Sequence, residues 1–240
     1  MIAQLIFIAL LGVGGFLAYK RFLFVKRNIL MGRDVAMEGN SSDRWNTMFR
    51  VALGQGKMFT RPIAAIFPLF LYLGFVIINI EVVEIILDGI LGQHRLFHGI
   101  GGVYNVLIGA FEILAFLVIV GCVVFLIRRN VMKIARFHWR EMTKWPKNDA
   151  NIILFIEICL MSAFLKMNAA DSLLQQMGSE HYHIAGSFPI SQFITPFMSN
   201  YSEMGLIAVE RFCWWFHIIG ILGFIVYLTY SKHLHIILAF

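Results

Sequence analysis

Residues 210–235 read ERFCWWFHIIGILGFIVYLTYSKHLH, and the fold follows from how this stretch is read. From Phe212 to Tyr230 it holds no acid or base except His217, which stands among aromatic and branched apolar residues. About 20 apolar residues cross the roughly 30 Å hydrocarbon layer, so the stretch predicts a membrane-crossing helix over about 204–235. His235 lies 18 positions beyond His217. At about 100° per residue that interval closes five turns, so on one continuous helix both imidazoles leave the same face, about 27 Å apart. His233 points about 160° away from that face. Two rings at opposite depths suit two metal centres that carry electrons through a membrane. They also suit one histidine bonded to a neighbouring helix and another marking the water interface.

The rest of the chain agrees that the solvent is lipid. The 240 residues are 59% hydrophobic and only 14% charged, with mean hydropathy +0.76. A water-soluble domain of this length exposes far more charge, which leaves an all-α integral membrane protein. The net charge of +6 is distributed in a way that excludes a nucleic-acid binder. Cys122, Cys159 and Cys213 lie in apolar segments without CxxC spacing. They form neither a cluster motif nor a disulfide framework, so any iron–sulfur chemistry belongs to a partner.

Five spans are predicted, over about 1–24, 62–90, 102–127, 150–173 and 204–235, within one membrane domain covering 1–240. Residues 1–24 carry no positive charge before the apolar run, so they read as an uncleaved helix. Pro62 suits the first turn of the second span. Residues 20–61 and 128–149 hold nine and seven lysines and arginines, whereas the two opposite loops share only Arg95. This asymmetry predicts that both basic segments are cytoplasmic, with the N-terminus outside and the C-terminus inside. The expected location is the bacterial inner membrane, as a multi-pass protein. The basic loops suit lipid headgroups, and equally an acidic cytoplasmic redox partner.

Charge also falls where lipid is expected. Glu81, Glu84 and Asp88 are spaced three and four apart, which puts them on one face of the second span. Glu112, Lys166, Asn168, Asp171, Glu210 and Arg211 fall at a similar depth. A charge in hydrocarbon costs about 2.5–3.5 kcal/mol even on the lenient insertion scale, so these groups must face one another or a wet cavity. Six carboxylates cannot all pair with two bases, Lys166 and Arg211. Such a cluster can be a proton-accepting quinol site, with Glu81, Glu84, Asp88, Glu112, Lys166 and Arg211 as its residues. It can also be an ion-pair network that ties helices together. A small transporter is a third reading, but it lacks the broken helices and paired repeats of that class.

Five helices with two histidines 18 apart in the last resemble the gamma subunit of respiratory nitrate reductase, a di-haem cytochrome b that oxidises quinol. LGQGKMFTRPIAAIF (53–67), INIEVVEIILDGILGQHR (78–95), WPKNDANIILFIE (145–157) and YSKHLHIILAF (230–240) are more similar still to another group. That group is the membrane domains of bacterial heterodisulfide-reductase-type iron–sulfur oxidoreductases. The resemblance covers nearly the whole chain and implies one or two b-type haems on His217 and His235. It implies electron exchange with a membrane quinone pool, and a cytoplasmic iron–sulfur protein or domain as partner. In such proteins the second helix supplies opposing histidines, and Pro68 stands where one is expected. No histidine precedes His94. The substitutes are His94 or His98 opposite His217, and His138 or Met58 opposite His235, thioether ligation being a known alternative. The chain therefore reads as an electron-transfer subunit between quinone and an iron–sulfur protein, or as a haem-free anchor for one. Its stop at Phe240 inside an apolar run suggests a following domain that has been removed or is encoded apart.

Overall fold

In hydrocarbon a backbone N–H or C=O finds a partner only within its own chain, so the apolar stretches form helices. The computed structural model describes residues 2–33, 35, 39–56, 62–135 and 143–238, and among these no strand occurs. In chain order the helices are α1 (Ile2–Leu30), a short α2 (Ser41–Met48), α3 (Pro62–Leu91), α4 (Gly102–Leu126), α5 (Lys144–Met177), α6 (Glu203–Leu228) and a short α7 (Leu234–Leu238). The five longer helices are each long and apolar enough to cross a membrane. Neighbours in sequence pack together from α3 to α6, and α1 closes the ring by lying against both α3 and α6.

The contacts follow from small residues where helices approach. Phe7 is the α1 side chain that is buried, and its ring sits where a Cβ on Gly89 of α3 would come within 2.5 Å. The same ring meets Trp214 of α6 at 5.3 Å between centroids. One aromatic thus plugs the seam between α3 and α6, and glycine makes the room. On α4, buried Tyr104, Ile108, Phe111, Ala115, Val118 and Cys122 recur at three- and four-residue steps, which gives one inward stripe. The other faces of the bundle expose apolar side chains such as Phe155 and Phe212, as a lipid-facing surface should.

Two ends can be distinguished. The loop end carries residues 92–101 and 178–202. The basic end carries α2 and the described part of the segment after α4. α5 is longer than the predicted 150–173: it starts after Thr143 in extended conformation and stops at Gly178, whose φ of +72° ends the helix in the left-handed region. α1 likewise runs on through Lys26 and Arg27 to Leu30.

The largest departure is at the C-terminal side. The expected continuous helix over 204–235 is not formed, because α6 ends at Leu228. The Thr229 hydroxyl donates to the Val226 carbonyl at 2.8 Å. Asp149 of α5, fully buried, accepts the Tyr227 hydroxyl at 2.6 Å and the Lys232 N–H at 2.9 Å. The Ser231 hydroxyl accepts the His233 N–H at 2.9 Å. These partners satisfy the backbone outside a helical ladder, so the chain turns before α7. The five-turn register between His217 and His235 goes with it.

Candidate functional site

The loop end is held by carboxylates that accept backbone N–H groups. Asp88, at the end of α3, accepts the N–H groups of Arg95 and Leu96, both at 2.9 Å. One turn back, Glu84 accepts the Phe97 N–H at 2.9 Å and the Tyr104 hydroxyl at 2.9 Å. The acidic stripe read from the sequence therefore clasps the following loop. It also holds Arg95 at φ +53°, a conformation that non-glycine residues rarely adopt. Glu112 of α4 does the same for the 178–202 connection. It accepts N–H groups of Ile190 at 2.9 Å and Ser191 at 3.0 Å, and the Ser191 hydroxyl besides.

Arg95 is the hub. Its side chain donates to Asp171 at 2.6 Å, to Asn168 at 2.9 Å and to the Tyr104 hydroxyl at 3.2 Å. Asn168 passes the network on to Glu112 at 3.0 Å. Burial works against the Arg95 charge most strongly, but Asp171, Tyr104 and Glu81 together outweigh it and raise the guanidinium above its ordinary range. A second group gathers on α6, where Glu210 pairs with Arg211 and accepts the Tyr182 hydroxyl at 3.1 Å. His94 lies between the groups, with Nε2 3.6 Å from Asp171. Burial lowers its pKa to about 3, helped by Arg95 and Arg211 and opposed by Asp171, so the ring is neutral.

Glu81, Glu84, Asp88 and Arg211 line one cavity, and Glu112 joins the network through Asn168. Lys166 stands apart. It is exposed on α5, because two residues before Asn168 is about 200° round the helix. The base expected at Lys166 is supplied by Arg95 instead, which the sequence pattern marked only by its place in the charge asymmetry. One arginine opposite six acids was the available signal. Tyr104, Tyr182 and Ser191 carried none, since their roles depend on loop paths. The groups surround a cavity of about 30 Å³ lined by Glu81, His94, Arg95, Asp171 and Glu210 among others. That is room for roughly one water molecule and too little for a quinone ring.

The histidine set behaves differently. His217 is buried at 2% exposure, with Nδ1 3.0 Å from the Leu160 carbonyl of α5. An Nδ1–H···O=C bond leaves Nε2 with its lone pair, the tautomer of a metal ligand. A porphyrin bound there needs an open slot beside the ring, and such a slot would leave the imidazole accessible. At 2% exposure that space is already filled by protein. Phe164 stands 6.1 Å away, centroid to centroid, and α6 approaches so closely that a Cβ on Gly220 would meet Leu160 at 2.5 Å. The packed residues therefore do not fit a haem. His235 is exposed on α7, and half-buried His233 lies 6.1 Å from it, ring to ring. Burial lowers the His233 pKa. His98 stacks on His183 at 4.9 Å rather than facing His217. Met58 and His138 lie outside the described residues. Among the described residues no group of three or more histidine, cysteine or acidic side chains is placed to hold a metal ion.

No family profile matches the chain, and no solved structure matches it. A protein of Bacillus subtilis (strain 168) named "Probable iron-sulfur-binding oxidoreductase FadF" is 24% identical over 226 residues. The match takes in 92% of this chain and 30% of the relative's length. The chain therefore spans less than a third of that protein. The similarity is to that protein's sequence over this stretch.

Proposed function

We propose that the chain is the membrane anchor of a quinone-linked iron–sulfur oxidoreductase, with the iron–sulfur protein or domain held at its basic end. The closed packing around His217 carries this reading against the cytochrome alternative. The similarity to FadF supports the iron–sulfur side. The three cysteines of this chain, two buried and one half-buried, have no cluster spacing, so the clusters lie in the partner. The excess of lysine and arginine at the basic end supports a cytoplasmic placement of that end in a bacterial inner membrane, where it can meet an acidic partner surface and anionic lipid. Without a haem relay, electrons have no route from the loop end to the basic end. The 19 helical steps from Pro62 to Glu81 alone span about 28 Å. In this reading the acidic cluster of Glu81, Glu84, Asp88 and Glu112 is architectural, and quinone meets the complex at the basic end.

One observation favours a second reading, a b-type cytochrome that passes electrons from quinol to the partner. The Nδ1 bond to the Leu160 carbonyl presets His217 as a ligand, and haem bound there would supply one-electron redox chemistry. This chain would then orient the imidazole and keep it neutral. Purification in mild detergent from haem-replete cells separates the two. The anchor reading predicts iron and acid-labile sulfide in stoichiometric amount from the associated protein or domain, with no α-band in the reduced spectrum. Preparations free of iron and sulfide would contradict both readings.

A further inference from the structure

The loop-end cavity contains two buried polar atoms that the hydrogen-bond network leaves over: Oε2 of Glu81 and Nδ1 of His94. Both residues line the same cavity of about 30 Å³. Glu81 is 5% exposed, and the His94 side chain is 8% exposed. An ionised carboxylate in this place needs a counter-charge. The charged groups facing it are already engaged. On α3 itself, Glu84 and Asp88 are bonded to the following loop and to Tyr104. From α4, Glu112 is taken by Ser191, Ile190 and Asn168. In the loop and on α5, Arg95 is bonded to Asp171. On α6, Arg211 is bonded to Glu210. Five further carboxylates stand against two guanidiniums, so another negative charge has no partner and is costly in a buried site.

We propose that the cavity is a proton-and-water site in which Glu81 carries the proton and one water joins it to His94. The Glu81 O–H donates to the water, and the water donates to Nδ1 of His94. His94 in turn directs Nε2–H towards Asp171, which agrees with its neutral ring. The volume holds roughly one water, and a buried water wants two to four polar partners. A metal cation is disfavoured by the same count. Such ions take about six or more oxygens, whereas Glu81 is the one lining carboxylate without a hydrogen bond, and two guanidiniums line the wall. This inference does not depend on the anchor reading.

Infrared spectroscopy of the purified protein at neutral pH tests it. The parent should show the C=O stretch of a protonated carboxyl, displaced in D2O. Glu81→Gln should lose one carboxyl's intensity from that band and keep the parent's thermal midpoint, since glutamine is nearly isosteric with the neutral acid. A band unchanged in Glu81→Gln, or absent from the parent, would overturn the proposal. So would a Glu81→Gln protein that fails to fold, because a neutral side chain is what the site is held to contain. A band that appears only in sodium-free buffer would show a cation in place of the proton, and would overturn it too.

Discussion

Removing Arg95 should damage the protein more than removing any of the arginines of the basic end. Its guanidinium donates to three side chains, Asp171, Asn168 and Tyr104, whose own exposures are 1%, 0% and 2%. Arg95→Met fills a similar volume but strands the Asp171 carboxylate in a closed site. Breaking a buried pair by removing one partner costs about 3–5 kcal/mol. Removing both charges lifts most of that penalty, so Arg95→Met with Asp171→Asn should cost less than the two single losses together, by about 2 kcal/mol or more. Reversible unfolding in mixed micelles, followed by the fluorescence of the five tryptophans, reads all four corners of the cycle. Single losses that simply add, or an Arg95→Met loss below about 1 kcal/mol, would refute Arg95 as the hub.

Three further outcomes follow from the same contacts. His94 is held neutral to about pH 3 when folded and has an ordinary value of 6.5. As pH falls through 6.5 the unfolded chain takes up a proton that the folded chain refuses, so this contribution is whole above 6.5 and fades towards pH 3. Unfolding measured at pH 7 and pH 5 should show a smaller acid loss in His94→Gln than in the parent, and equal losses would contradict the buried, neutral ring. Gly89→Ala must displace the Phe7 ring and should cost about 1–3 kcal/mol, whereas Gly12→Ala, with nothing within 4 Å, should cost nothing. Equal effects would mean that α1 is not seated by Phe7. For orientation, a cysteine at exposed Ser187 should react with an impermeant label on intact cells, and one at exposed Ser42 only after lysis; the reverse pattern would invert the proposed topology.

Much of this molecule could be read from residue order because lipid imposes one strong rule. Runs such as 212–228 can only be helices there, and the acids at 81, 84 and 88 share a face by helical period alone. What the sequence did not disclose were decisions made between elements. Nothing near His235 announces that Asp149, over 80 positions earlier, captures the Lys232 N–H and ends α6. Lys166 and Arg95 exchanged roles for a geometric reason. A lysine at the right depth was on the wrong side of α5, while an arginine in a loop was drawn inward by Asp88 and Asp171. The histidine spacing depended on a continuous helix, and one buried carboxylate was enough to break it.

The most direct test of an anchor without its own haem is a pyridine-haemochrome assay on protein purified from haem-replete cells, beside its His217→Ala variant. The closed packing at His217 predicts no haem in either preparation and a variant that retains its iron–sulfur partner. About one haem per chain in the parent, lost in His217→Ala, would contradict it and make this chain a cytochrome.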